Sequence, residues 1–283
     1  MPYTVLMMDI PKSRQYQQNE RQELQDFCLK AIDLLNRVFI KDLVKVVEFS
    51  AGDEMQGLFG QAYAAFLYLR LLRMMMWDRT LYAGLGYGDW TVRVDGRGTV
   101  VQDGRVYHLA REALEICKKT RDYSVVFRTD TEGETMASAA ANSLFSVNER
   151  MNQYQNDLWF LLEMFWPVYD QGWVDEGKKR ELLQLLKYKQ SLSVYNGRKK
   201  DSQSVFCKDR ADDILKCRVQ KYFKIDALTA GHPYGAVTKL AEVTGLRQQS
   251  IDNALAKGNI FVERNTAFAM AAFLHKELKG EKV

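Results

Sequence analysis

The sequence predicts an α+β fold, with a β-sheet in the N-terminal half and helices in the C-terminal half. Strand-like and helix-like segments follow one another in the order β-α-β-β-α-β from about residue 3 onward. A Gly52-Asp53 turn joins two apolar runs, as in a β-hairpin. Beyond about residue 150, the apolar residues follow the spacing of helices. The order of the first six elements is that of a split βαβ arrangement.

The first elements of the predicted sheet have local causes. Tyr3–Met8 is a continuous apolar run, typical of a central strand covered on both faces, and Pro11 cannot extend it because proline lacks an amide donor. Residues 21–39 carry an apolar stripe opposite charged residues, which predicts an amphipathic helix. We expect this helix to cross over and place the first strand beside the strand-like run Leu43–Phe49.

The next elements complete the ferredoxin-like βαββαβ order. Met55–Phe59 is the second hairpin strand, and Gln61–Trp77 is apolar almost all round, which predicts a buried helix. Tyr82–Gly88 alternates glycine with larger residues, so another backbone or a ligand could approach it closely. Residues 90–101 predict a small hairpin that turns at 95–96. A helix over Val106–Lys119 and a strand over Tyr123–Arg128 follow.

The small, polar stretch Thr129–Ser143 is the best candidate for a domain boundary. It separates a first domain over residues 1–135 from a basic helical domain over 150–225 and a helical domain over 226–283. The helices expected in the second half are 151–169, 178–189, 209–223, 236–245, 248–257 and 265–279.

The composition is that of a soluble globular protein, with 47% hydrophobic and 27% charged residues. The longest apolar run, Leu67–Trp77, is interrupted by arginines and is too short to cross a bilayer. The N-terminus lacks the basic start of a signal peptide, so we expect a cytoplasmic protein without membrane contact. The four cysteines form no CxxC pair, which favours buried free thiols over disulfides or zinc ligands.

The net charge of +4 is concentrated in the second half, which suggests a nucleic-acid-binding region there. Residues Val237–Leu255 fit a helix-turn-helix, with Gly245 at the turn and an ordinary helical hairpin as the alternative. The second helix would present to double-stranded DNA the side chains of Arg247, Gln248, Gln249 and Asn253.

Two aspartates are expected at the ends of neighbouring strands. Asp9 closes the first strand, and Asp53 lies at the tip of the hairpin. Carboxylates that lie close together repel each other unless one is protonated or a divalent cation binds between them. Mg²⁺ and Mn²⁺ suit such oxygen ligands, with substrate phosphates completing the shell. The alternative is that Asp9 caps the following segment and Gly52-Asp53 forms only a turn.

Four motifs occur in an order that resembles a known catalytic domain: MMDIPKSR, FSAGDEMQGLF, LYAGLGYG and DGRVYHLAREALE. Together they resemble the catalytic domain of class III nucleotidyl cyclases, a fold shared with GGDEF-type diguanylate cyclases and CRISPR-polymerase palm domains. Within this superfamily the chain most closely resembles the SatD-like bacterial family, in which a cyclase-like domain precedes a helix-turn-helix. The resemblance spans about residues 3–128.

The resemblance implies a metal site and a catalytic arginine. By position, Asp9 and Asp53 match the metal-binding aspartates, the carbonyl of Ile10 matches a further ligand to Mg²⁺ or Mn²⁺, and Glu54 is an extra candidate. Arg111 matches the arginine that stabilises the transition state, because a guanidinium on this helix can meet the charge of a pentavalent phosphorus.

Two positions depart from the adenylyl cyclase pattern. Tyr107 stands where an asparagine accompanies the arginine, and Phe49 lies near the position of the lysine that selects adenine. Both differences argue against adenylyl cyclase activity and leave metal and triphosphate binding intact. The resemblance also places Gly52 in the nucleotide site. Ser13 and Arg14 follow Asp9 in a loop suited to phosphates, with a plain surface loop as the alternative.

The sequence therefore favours a divalent-metal-dependent nucleotidyl cyclase or nucleotidyltransferase that acts on nucleoside triphosphates. A homodimer is implied, because class III cyclase sites lie at dimer interfaces. The alternative is a catalytically silent, nucleotide-sensing regulator that binds DNA through its helix-turn-helix.

Overall fold

The computed structural model describes residues 2–11, 13–76, 80–120, 122–130, 133–169, 176–196, 205 and 232–277. Its strands are β1 (Tyr3–Asp9), β2 (Leu43–Ala51), β3 (Glu54–Phe59), β4 (Tyr82–Gly88) and β5 (Val125–Thr129). The helices that accompany the sheet are α1 (Gln18–Val38), α2 (Ala62–Met75), α3 (Arg105–Thr120) and α4 (Glu134–Arg150). The helices that follow are α5 (Gln153–Phe165), α6 (Glu176–Ser191), α7 (Ser193–Asn196), α8 (Ala236–Thr244), α9 (Gln248–Lys257) and α10 (Ile260–Glu277). The α+β class is confirmed, whereas the predicted helix 209–223 lies outside the described residues.

The five strands form one mixed sheet in the order β2-β3-β1-β4-β5. The pairs β2–β3, β3–β1 and β1–β4 are antiparallel, and β4–β5 is parallel. The expectation that α1 places β1 beside β2 is wrong, because β3 lies between them. The tight turn after β2 returns β3 onto that strand, and β1 then pairs with the free edge of β3.

The small hairpin predicted over residues 90–101 is confirmed only at its turn, where Gly96 has φ of +66°, because residues 98–101 form no strand. This segment holds a single bridge between Val92 and Asp103 and a 3₁₀ helix over Thr99–Val101. The Gln102 side chain replaces the ladder, because its amide accepts from Val94 N at 2.9 Å and donates to Val94 O at 2.8 Å. The loop is held over β2 by Glu48, which accepts a hydrogen bond from Thr99 N at 2.6 Å.

The side chains of β1 alternate between two hydrophobic cores, one on each face of the sheet. Leu6 and Met8 face the larger core, which is filled from α1, α2 and the C-terminal helices. Val5 and Met7 face the opposite side, where they pack with residues of α3. Because strand residues alternate between faces, Asp9 follows Val5 and Met7 onto the α3 side of the sheet.

Helix α3 lies directly on β4 because two residues of that strand have no side chain. A Cβ atom on Gly84 would approach Ala110 O to 2.3 Å, and one on Gly86 would approach Ala110 N to 2.4 Å. These separations are far shorter than any carbon contact. The prediction that this glycine-containing strand admits a close backbone approach is confirmed, and the approaching backbone is that of α3.

The stretch Thr129–Ser143 is largely helical, because α4 begins at Glu134. Its small polar residues hydrogen-bond to the backbone of the neighbouring strand. Ser138 Oγ accepts from Phe127 N at 2.9 Å, and Asn142 Oδ1 accepts from Ser124 N at 2.8 Å. The composition that suggests a boundary thus fits a helix whose small side chains dock on β5.

A buried network of charges connects α2 with the C-terminal helices. Arg70 pairs with Glu263 through two contacts of 2.7 Å and with Glu163 at 3.0 Å. Glu163 also pairs with Arg264, and Trp159 Nε1 donates to Glu263 at 2.7 Å. Removing one partner from this network would leave a buried charge without a counter-ion, which is strongly destabilising. The network therefore fixes how the helices dock.

Two predictions about composition can be compared with the described residues. Cys28 and Cys117 are buried free thiols, as expected. Burial raises the pKa of the Cys28 thiol to about 12 and that of Cys117 to about 11. Among the described helices, none combines the length and the apolar character needed to cross a bilayer.

The contact between α3 and β4 predicts a large cost for one methyl group. Gly84→Ala is expected to lower the free energy of unfolding by about 2 to 3 kcal/mol, because the new carbon overlaps helix backbone that cannot yield. Gly60→Ala is the matched control, since its nearest atoms lie at 3.8 Å. Urea denaturation followed by circular dichroism would measure both. Equal midpoints for the two variants would contradict the close approach.

Candidate functional site

An acidic cluster lies on the α3 side of the sheet, where β1 ends and β3 begins. Asp9 stands opposite Glu54 in the β1–β3 register and opposite Tyr82 on β4. The side chains of Asp9 and Glu54 are only 16% and 11% exposed. Two carboxylates from adjacent strands therefore meet in a poorly solvated place.

Asp53 lies in the hairpin turn beside this pair. Gly52 precedes it with φ of +65°, a left-handed conformation that glycine adopts without strain. The Ser13 hydroxyl donates a hydrogen bond to the Asp53 carboxylate. Ser13 N also donates to the carbonyl of Ile10 at 3.3 Å. The loop after β1 is thereby folded against the hairpin tip, and it brings Ser13, Ile10 and Asp53 to one end of the sheet.

Two cations of α3 face the acids. Lys118 Nζ lies 3.6 Å from Asp9 and 3.5 Å from Glu54. Arg111 Nη1 lies 2.5 Å from Glu54 Oε1. The two residues are seven positions apart, which is about two helical turns, so both project from the same side of α3. One ammonium group is therefore shared between the carboxylates of β1 and β3.

Burial controls the electrostatics of Asp9. Loss of solvent raises the pKa of this carboxyl, Lys118 acts in the opposite direction, and the charges of Asp53 and Glu54 raise the pKa further. Because the pKa is raised overall, the folded protein disfavours the ionised form of Asp9. A nearby further cation would stabilise the ionised form of this carboxylate.

The donors at this site fit a magnesium-type ion that is completed by substrate. Carboxylate oxygens are the ligands that Mg²⁺ and Mn²⁺ prefer, and Mg²⁺ is commonly held by one or two of them together with phosphates. In the part of the chain that the structure describes, no three His, Cys, Asp or Glu side chains are grouped to hold one ion. Asp9 and Glu54, which already share one cation, are the pair best placed to do so.

Other predicted site residues lie away from the acids. Phe49 stands opposite Met55 and packs against the core on the other face of the sheet. Tyr107 is buried on the α3 side and lies 3.2 Å from Thr99 Oγ1 through its hydroxyl. The side chain of Arg14 lies outside the described residues. The structure therefore groups Asp9, Ile10, Ser13, Asp53, Glu54 and Arg111, with Gly52 exposed at the turn.

Lys118 is the residue of this site that sequence reasoning misses. Its signal is the spacing of seven residues from Arg111 on a predicted helix, which places both cations on one side. A lysine near the end of a helix is ordinary, because cations are favourable there. Only the strand register, which brings Asp9 and Glu54 together, reveals its partners.

The second candidate surface is the helix pair α8–α9. Gly245 joins the helices with φ of +65°, and Ile251 and Leu246 pack inward as expected. The side chains predicted to contact DNA are all exposed: Arg247, Gln248, Gln249 and Asn253. The pair thus has an apolar side against α5 and a polar side open to solvent.

The fold and the site define an α+β protein whose five-stranded mixed sheet carries acidic residues that face cations of α3. A family comparison makes this more specific. The chain belongs to the SatD family, whose model matches residues 3–212. The match includes the sheet, the acidic cluster and α6, whereas α8, α9 and α10 follow it in sequence. Searches of curated proteins and of solved structures returned no match.

The raised pKa of Asp9 predicts that its ionised carboxylate lowers the free energy of unfolding at neutral pH. Asp9→Asn is expected to increase the free energy of unfolding at neutral pH, by up to about 1 kcal/mol, because it removes a charge that the fold disfavours. The gain should shrink as the pH falls through the raised pKa, since wild-type Asp9 is then neutral as well. Thermal unfolding across pH 4–7 would measure it.

Asp130→Asn provides the control of opposite sign. A hydrogen bond from Arg105 lowers the pKa of this exposed carboxyl, so the change should slightly destabilise the protein at neutral pH. Destabilisation by Asp9→Asn at neutral pH would mean that the pair with Lys118 outweighs burial, contrary to this account.

Proposed function

We propose that the protein is a divalent-metal-dependent nucleotidyl cyclase or nucleotidyltransferase that acts on nucleoside triphosphates. One observation carries the proposal: Asp9 and Glu54 share a single cation, and Arg111 stands beside them. The strand order, in which β3 separates β2 from β1, supports a ferredoxin-like palm arrangement. Membership of the SatD family agrees with the resemblance that suggested this activity.

The residues of the site have separable roles under this proposal. Asp9 and Glu54 would hold Mg²⁺ or Mn²⁺, and Asp53 and the carbonyl of Ile10 would have to move closer to this pair to serve as further donors. When bound, such an ion would neutralise the triphosphate and activate a hydroxyl for in-line attack at the α-phosphorus. The Ser13 hydroxyl orients the Asp53 carboxylate.

Arg111 would supply positive charge where the transition state becomes negative. Its side chain is 45% exposed, so its remaining donors are accessible to a phosphate while it pairs with Glu54. Because Glu54 also touches Lys118, a change at this carboxylate would disturb both cations. Activity should therefore depend on Glu54 as well as on the two aspartates. We retain the homodimer as part of this proposal.

The proposal is tested by offering each nucleoside triphosphate with Mn²⁺ and identifying products by mass spectrometry. Asp9→Asn and Asp53→Asn are expected to reduce turnover by at least about a hundredfold, because transition-state charge would lose its neutralising ion. Glu112→Gln, an exposed neighbour of Arg111 on α3, is the control that should retain activity. The enzyme proposal is lost if wild type consumes no triphosphate, or if Asp53→Asn equals wild type.

A second candidate function is a catalytically silent, nucleotide-sensing regulator that binds double-stranded DNA. Its specific support is the exposed polar side of α9, where Arg247, Gln248, Gln249 and Asn253 are open to solvent. Gel shifts with genomic fragments should then depend on triphosphate, and affinity should fall steeply as salt increases. Arg247→Ala should weaken the shift, whereas Lys119→Ala on α3 should not. Absence of DNA binding at low salt would remove this candidate.

A further inference from the structure

We propose that Lys118 is an internal counter-ion that occupies the metal position of the resting site and must be displaced before a divalent cation binds. The inference rests on the proposed function, because it concerns the same acidic cluster. It goes further by assigning to a side chain of this chain the control of metal entry.

The position of Lys118 is that of a cation shared between strands. Its ammonium lies 3.6 Å from Asp9 on β1 and 3.5 Å from Glu54 on β3, and 3.9 Å from Glu115 one turn back on α3. Asp9 and Glu54 are paired directly across the sheet. A metal ion held by both carboxylates would have to lie where this ammonium now lies.

Charge makes joint occupancy unfavourable. Asp9, Asp53 and Glu54 contribute three negative charges, and Lys118 and Arg111 contribute two positive ones. A divalent ion added beside both cations would place like charges within a few ångströms in a poorly solvated site. Departure of Lys118 relieves this repulsion.

Lys118 is also able to leave. It lies in the last turn of α3, and its side chain is 29% exposed on a flexible aliphatic stem. Glu115 is half-exposed and can keep the ammonium as a partner after Asp9 and Glu54 are released. The buried pair of Arg70 and Glu263 offers a contrast, because neither of those side chains can reach solvent.

The first test measures Mn²⁺ affinity of the full chain without nucleotide, by electron paramagnetic resonance of the free ion. Lys118→Met should bind Mn²⁺ at least about fivefold more tightly than wild type, because a competing ion pair is lost. Lys119→Met is the matched control, since it removes the same charge from the adjacent, exposed position of α3 and should leave the affinity nearly unchanged.

The second test follows Lys118 in the unaltered protein and so does not depend on a variant that folds. Amine acetylation is read by mass spectrometry with and without Mn²⁺. Displacement predicts that the metal increases labelling of Lys118 several-fold while labelling of Lys119 stays constant. Unchanged labelling of Lys118 in a protein that binds Mn²⁺ would overturn the inference.

The outcomes separate this inference from the proposed function. If wild type and Lys118→Met bind Mn²⁺ equally, the site holds metal and only the role of Lys118 is lost. If Mn²⁺ binds to neither protein, with or without a triphosphate, the proposed function fails and the inference fails with it. Tighter binding by Lys118→Met together with metal-dependent labelling of wild type supports both.

Discussion

The close contact between α3 and β4 is the constraint on which the rest of this structure depends. Gly84 and Gly86 let the backbone of α3 rest on the strand at a distance that a single Cβ atom would prevent. At that distance Arg111 and Lys118 reach across to the acids at the ends of β1 and β3. The packing of α3 on the sheet therefore determines the distances between the cations of α3 and the carboxylates of β1 and β3.

A second constraint fixes the helices around the larger core. Arg70 on α2, which packs against the sheet, is fully buried with Glu163 and Glu263, so α5 and α10 are tied to the N-terminal half. Burial alone would lower the pKa of the Arg70 guanidinium, but the two glutamates raise it above the ordinary value. A shift of one of these helices that left a buried charge unpaired would be strongly destabilising. Helix α9 therefore packs its apolar side into the same hydrophobic core as the sheet, while its polar side is exposed.

Much of the fold follows from local sequence, whereas the pairing of the acidic site does not. The hairpin of β2 and β3, the helices α1, α2 and α3 and the glycine-containing strand β4 are set by nearby residues and are predicted correctly, whereas α4 begins inside the stretch whose composition suggests a boundary. The position of β3 between β1 and β2 depends on which free edge a strand meets, and no local pattern encodes that choice. The same register decides that Glu54 faces Asp9, while Asp53 turns to Ser13. Lys118 is hidden for the same reason, since its partners come from two different strands.

The central claim is that the ends of β1 and β3 bind a divalent ion with a triphosphate under α3. A crystal structure with Mn²⁺ and a non-hydrolysable nucleoside triphosphate tests it most directly. The account predicts anomalous scattering from Mn²⁺ within about 2.0 to 2.4 Å of oxygens of Asp9 and Glu54. It also predicts phosphates beside Arg111 and Lys118 moved away from Asp9. A triphosphate bound elsewhere, with Lys118 still between the two carboxylates, would contradict it.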